Sequence, residues 1–281
     1  MFRLRAVSCV VFLLLTLNVA FAAASGRLYD GVDYAPGLKL DVYVPVAPLE
    51  PLPTLPGSGL GVVVYVHGGG WIHGNRKHVY DIPGFITSLG YIFVAMDYRL
   101  VPETNIEGQT RDVARAINWV SAHIAEYGGD PSRIAIMGHS AGAHLVTMVA
   151  VRHLVGVRGV ISDDVQAYDM PSYDAMRGSL GYPYKQAFGS DMANWVRWSP
   201  ITYLRQASDI PPHLMMFSGS DGARRRALTT DYARVLSERG CDVTVFDGSR
   251  YNHGTIARFL GRPNDAASAA VTRFLRRVIG K

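Results

Sequence analysis

Short apolar runs alternate along the chain with longer segments whose apolar residues recur at helical spacing. Runs at 39–44, 62–66, 91–97, 134–137, 157–162, 214–218 and 243–246 read as strands. Several are apolar almost throughout, as in strands buried on both faces. Between them, 110–126 carries Val113, Ala116, Ile117, Val120 and Ile124 on one helical face, and 265–278 closes the chain as a further helix. Strands alternating with helices predict an α/β domain with a mainly parallel central sheet and helices on both faces. From about 163 to 203 this rhythm breaks. The stretch holds Tyr168, Tyr173, Tyr182, Tyr184, Phe188, Trp195 and Trp198 without a clean period. The proline-rich stretch 45–56 reads as a surface loop between two early strands.

Candidate chemistry sits at two of the strand ends. Met137-Gly138-His139-Ser140-Ala141-Gly142 places a serine between glycines, after a strand and before the helical Ala143-His144-Leu145-Val146. A chain that turns that sharply holds its turning residue in a strained conformation and leaves the Ser140 hydroxyl exposed, as in a nucleophile elbow. Upstream, the strand at 62–66 runs into His67-Gly68-Gly69-Gly70-Trp71. Such a loop can aim backbone N–H groups at the oxygen that gains charge during acyl transfer. Gly69, Gly70 and Ala141 are the expected donors. His67 opens the loop and is expected to tie it down, while His144 and His153 are expected to be packing or surface residues.

With these two motifs the chain resembles the α/β-hydrolase superfamily, in its HGGG-type esterase and lipase branch (hormone-sensitive-lipase-like and carboxylesterase-like). Asp97-Tyr98-Arg99-Leu100-Val101-Pro102-Glu103 and the Tyr127–Ile134 stretch leading into the elbow strand extend the resemblance over most of the chain. The elbow is also similar to those of kynurenine formamidases and isoprenylcysteine methylesterases. The resemblance implies a serine hydrolase of small carboxylic esters, with an arylformamidase-type amide hydrolase as the alternative and a non-catalytic binding protein as a third reading. It implies no cofactor. It also implies that 163–203 forms a small lid, where Tyr168, Trp195 and Trp198 could line a substrate pocket with Trp71; a helical layer packed on the core is the alternative.

Serine at neutral pH needs a base, and the base needs an orienting acid. In this fold they follow in the order Ser, Asp or Glu, His. His213 starts a strand, whereas His253 lies beyond the carboxyl end of the strand at 243–246, the edge where ligands gather in α/β sheets. His253 is therefore the expected base. The resemblance puts the acid after the penultimate strand, at Asp221, with Asp247 as its rival. Where the family usually shows a Val-Pro segment just after that aspartate, this chain has Ala223-Arg224-Arg225-Arg226.

Composition narrows the picture further. Arg3 and Arg5, an apolar run and Ala20-Phe21-Ala22 read as a secretory signal peptide over 1–22, with cleavage at Ala24 and an uncleaved anchor as alternatives. A catalytic domain over 23–281, exported to a secreted or periplasmic location without a stable membrane span, is expected. Without Arg3 and Arg5 the net charge of +5 becomes +3, too small to suggest a nucleic-acid partner. Of Cys9 and Cys241 only the second would remain, so no internal disulfide can form. The histidines at 73 and 78 are spaced without a metal-ligating pattern, and no metal site is expected.

Overall fold

The computed structural model describes residues 26–46 and 59–280. The expected signal segment and most of the proline-rich stretch lie outside them. Eight strands form one sheet: β1 (Arg27–Ala35), β2 (Leu38–Val44), β3 (Leu60–Val66), β4 (Ile92–Met96), β5 (Gly129–His139), β6 (Gly159–Asp163), β7 (His213–Ser218) and β8 (Val243–Gly248). Their spatial order is β1-β2-β4-β3-β5-β6-β7-β8. The two pairings that involve β2 are antiparallel and the others parallel. Each expected strand is present. β1 is not among the expected strands, because Asp30, Gly31 and Asp33 break its apolar alternation and only one of its nine residues is buried at the sheet edge.

The helices are α1 (Ile82–Ser88), α2 (Ile106–His123), α3 (Ala141–Val151), α4 (Met170–Arg177), α5 (Tyr184–Phe188), α6 (Met192–Arg197), α7 (Ile201–Leu204), α8 (Ala223–Glu238), α9 (Thr255–Arg258) and α10 (Ala266–Ile279). Alternation along the strands builds two cores. Val62, Val64 and Val66 of β3 join Ile117, Leu145 and Leu236, from α2, α3 and α8, on one face. Val63 and Tyr65 join Ile86, Ile256 and Phe274, from α1, α9 and α10, on the other. This is the period of two expected of a sheet covered on both sides. α3 is buried along its whole length, which explains why it is apolar on every side. α4 to α7 make up the irregular stretch and lie on the first face, with Tyr168, Tyr173 and Phe188 in that core. Among the described residues, no helix is long and apolar enough to cross a membrane.

Parallel strands end on the same side of a sheet. Hence the loops after β3, β5, β6, β7 and β8 open on one edge, and they carry the glycine loop, Ser140, Asp164, Asp221 and His253 respectively.

Candidate active site

Ser140 occupies the turn between β5 and α3 with φ 56° and ψ −122°, a strained backbone for a residue with a Cβ. Crowding around the turn explains its flanking glycines. A Cβ on Gly142 would come within 2.0 Å of the Val66 carbonyl oxygen, and one on Gly138 within 2.3 Å of Gly142. The Ser140 N–H donates to the Asp163 carbonyl at 2.8 Å, fixing the elbow to the end of β6.

His253 follows β8 and is tied to the loop after β7, because its backbone N–H donates to Ser220 Oγ at 2.8 Å. Its Nε2 lies 3.0 Å from Ser140 Oγ. Its Nδ1 lies 2.7 Å from Asp164 Oδ2. With Nδ1–H donating to the carboxylate, Nε2 is left as the lone-pair acceptor for the serine O–H. The imidazole side chain is 40% exposed, so one side of the site is open to water, whereas the Asp164 side chain is fully buried.

The carboxylate on the imidazole is thus Asp164, where Asp221 was expected. Asp164 also accepts from the Ser218 N–H and Oγ–H, both at 2.7 Å. Arg225 Nη1 lies 3.2 Å from its Oδ1. Burial works against its ionisation, but His253, Arg225 and Ser218 outweigh it and hold the carboxyl below its ordinary pKa. Asp221 has a different set of partners. Its side chain is 41% exposed, and its Oδ2 accepts from Gln166 Nε2 at 2.8 Å and Arg225 Nη2 at 3.1 Å. Here too burial opposes ionisation and the arginines and Gln166 prevail, so its pKa is also held low. The rival Asp247 accepts from Ser249 instead. The sequence did offer a signal for Asp164: an Asp163-Asp164 pair at the carboxyl end of a strand beside the elbow strand. The second aspartate bends away with φ 62°, and its carboxylate turns toward the loop after β8.

A second imidazole lies alongside. The His139 ring centroid is 4.8 Å from that of His253, and its Nδ1 is 2.9 Å from Asp163 Oδ2. On the other side of Ser140 the glycine loop turns back on itself, with Ile72 and His73 donating to the Gly69 carbonyl. Gly69 and Gly70 have φ of 119° and 60°, and a Cβ on Gly69 would meet the His73 oxygen at 2.0 Å. Among the described residues neither glycine N–H meets a protein acceptor. His67 packs flat on Tyr98, with its Nδ1 2.7 Å from the Gly68 oxygen. Burial lowers its pKa to about 4, leaving a neutral brace under the loop.

A cavity of about 540 Å³ joins these parts; Gly69, Gly70, Trp71, Ser140, Asp164 and His253 all line it. Of the aromatics expected to line a substrate pocket, only Trp71 lines this cavity. Tyr168 is buried against Tyr232 with its hydroxyl on Ser162, and the Trp198 ring is buried too. Trp195 lines a separate surface depression and donates to the Gly189 oxygen. Instead the irregular stretch contributes Tyr173, Pro183 and Tyr184 to the wall. Its aromatics point both ways, into the core and into the cavity, and composition cannot separate the two.

The nucleophile elbow, with a histidine on the serine and an acid on the histidine, lies at the carboxyl edge of a mainly parallel eight-stranded sheet. The chain has the α/β-hydrolase fold. The BD-FAE family model matches residues 40–177, a span that includes the glycine loop, Ser140 and Asp164 but stops short of His253. Over 202 residues the chain is 42% identical to an esterase, LipQ, of Mycobacterium tuberculosis, covering 66% of this chain and 48% of that protein. It is 30% identical over 189 residues to a probable carboxylic ester hydrolase, LipM, of the same organism, covering 60% and 43%. The chain spans about half the length of these curated relatives. Among solved structures, an inhibited esterase B from Lactobacillus rhamnosis superposes with a TM-score of 0.73 at 20% identity, covering 90% of this chain and 86% of that one. The likeness to esterase B bears on the fold.

Proposed function

We propose that this α/β-hydrolase cleaves small carboxylic esters through an acyl-enzyme on Ser140. What carries the reading is the unbroken hydrogen-bond chain from Ser140 Oγ through His253 to Asp164. The esterase names of its relatives agree with it. Ser140 Oγ attacks the ester carbonyl as its proton passes to His253 Nε2. Asp164, ionised at neutral pH, holds the reactive tautomer and stabilises the imidazolium that forms. The backbone N–H groups of Gly69, Gly70 and Ala141 receive the oxyanion, since Gly69 and Gly70 face the cavity with no competing acceptor. As the tetrahedral intermediate collapses, the imidazolium returns its proton to the departing alcohol. Water then attacks the acyl-serine, with His253 again as base.

Ser140→Ala tests the assignment. Hydrolysis of p-nitrophenyl acetate and covalent labelling by a fluorophosphonate should both disappear in that variant. Turnover at the wild-type rate would remove Ser140 from the mechanism. Including N-formylkynurenine in the wild-type assay separates ester from formamide chemistry, and the ester is expected to be the faster substrate.

A further inference from the structure

The cavity beside Ser140 carries more positive charge than its own carboxylates neutralise. Arg177, Arg224 and Arg225 line it together with Asp164 and Asp221. Arg225 is buried between the two carboxylates and pairs with both. Arg224 Nε donates to Gln166 Oε1 at 2.9 Å, Nη2 stands 3.4 Å from Asp221, and the guanidinium lies 5.5 Å from the centre of the Tyr173 ring. Arg177, at the end of α4, is exposed. Its guanidinium donates to the Ser179 carbonyl at 2.9 Å, and among the described residues no carboxylate lies within ion-pair distance of it.

Two of these arginines stand at a helix end that does not favour cations. Arg224 and Arg225 fall in the first turn of α8, which holds no acidic residue. That end of a helix carries partial positive charge and disfavours cations. A local rule broken at the wall of a cavity is where a functional reason is expected. Tyr173 lines the same cavity, beneath the Arg224 guanidinium. Arg177, Tyr173 and Arg224 thus line one cavity, with Arg224 over the Tyr173 ring and Tyr184 stacked on that ring.

We infer that the substrates are esters that also bear a free carboxylate, received by Arg177 and Arg224 beside Tyr173. This rests on the ester-hydrolase reading above. Guanidinium groups offer a carboxylate paired donors in a fixed fork, and surplus positive charge in a cleft draws anions toward it. For a monoester of a dicarboxylic acid, the Ser140 Oγ–carbonyl bond forms, the ester C–O bond breaks and the alcohol leaves with the proton from His253. Water then releases the dicarboxylate and one proton.

Two matched pairs test the inference. Mono-p-nitrophenyl glutarate against p-nitrophenyl pentanoate puts the charge on the acyl side, and 4-acetoxybenzoate against 4-acetoxytoluene puts it on the alcohol side. For at least one pair, the ratio of kcat/KM for the anionic over the neutral ester should be about tenfold higher in the wild type than in Arg177→Gln, and Arg177→Lys should keep part of that preference. The ratio should also fall as salt is raised. Arg177 is exposed and holds only a neighbouring carbonyl, so its substitution leaves the fold intact. Ratios that are equal in the wild type and Arg177→Gln for both pairs, with neutral esters hydrolysed normally, overturn the inference and leave the esterase reading standing. Failure of the wild type on all four esters brings down both.

Discussion

His144 links the two halves of the site through one buried imidazole. Its Nδ1 accepts the Trp71 indole N–H at 3.2 Å and its Nε2–H donates to the Trp198 carbonyl at 2.7 Å. Burial lowers its pKa to about 4, so the ring is neutral and can play both parts. The glycine loop is thereby anchored to α3 and to the irregular stretch at once. Trp71→Phe strips His144 of its donor inside the core, which costs about 1–3 kcal/mol. Its melting temperature should fall by about 2–4 °C per kcal/mol lost. Its kcat/KM should fall by about tenfold or more as the loop loses its register; unchanged kinetics would mean that the loop is held by other contacts. At this scale the sequence was legible where chemistry demands one residue type at one turn, as at Ser140, Gly69 and Gly70. Asp164 was missed for a physical reason. Either of two loops can bring a carboxylate to a histidine after β8, and only side-chain packing, here with Arg225 drawing Asp221 away, decides between them.

Elements differ in how much room they leave for change. The elbow leaves none, because a Cβ on Gly142 would stand 2.0 Å from the Val66 oxygen and 2.7 Å from the His67 oxygen. Gly142→Ala must therefore push α3 off β3. It should destabilise by about 1–3 kcal/mol or more and remove activity by displacing Ser140. Gly84 is the contrast. It is exposed within α1, and a Cβ there meets nothing within 4 Å. Gly84→Ala should stabilise by up to about 1 kcal/mol, because alanine loses less backbone freedom in a helix. Thermal unfolding of the two variants should move in opposite directions, and a matching loss at both would contradict the packing described for the elbow. The apolar runs that revealed the strands are legible for the same reason: a strand covered on both faces is apolar over most of its length. β1, at the exposed edge with aspartates and a glycine, is under no such constraint and was invisible.

Across the whole molecule, buried neutral histidines make stability depend on pH. His67, His144 and His213 each have a pKa lowered by burial from 6.5 to about 4. Between those values the unfolded chain binds protons that the folded chain refuses, so stability falls as pH falls through that window. Asp164 and Asp221, held below their ordinary 3.8, add their loss only as pH drops further. The urea midpoint should be clearly lower at about pH 5 than at about pH 7. An equal midpoint at the two would show that these rings are protonated or solvated in the fold. None of this could be read from the sequence, since a histidine's burial is a property of the packed sheet and not of its neighbours in the chain.

The most direct test of the Ser140–His253–Asp164 arrangement compares two asparagine variants by steady-state hydrolysis of one p-nitrophenyl ester at neutral pH. Asp164→Asn should lower kcat by about 10³–10⁴, because an amide no longer fixes the tautomer or stabilises the imidazolium. Asp221→Asn should lower it by less than about tenfold, because that carboxylate reaches the triad only through Arg225. The opposite ranking, with Asp221→Asn crippled and Asp164→Asn active, would contradict the site described here.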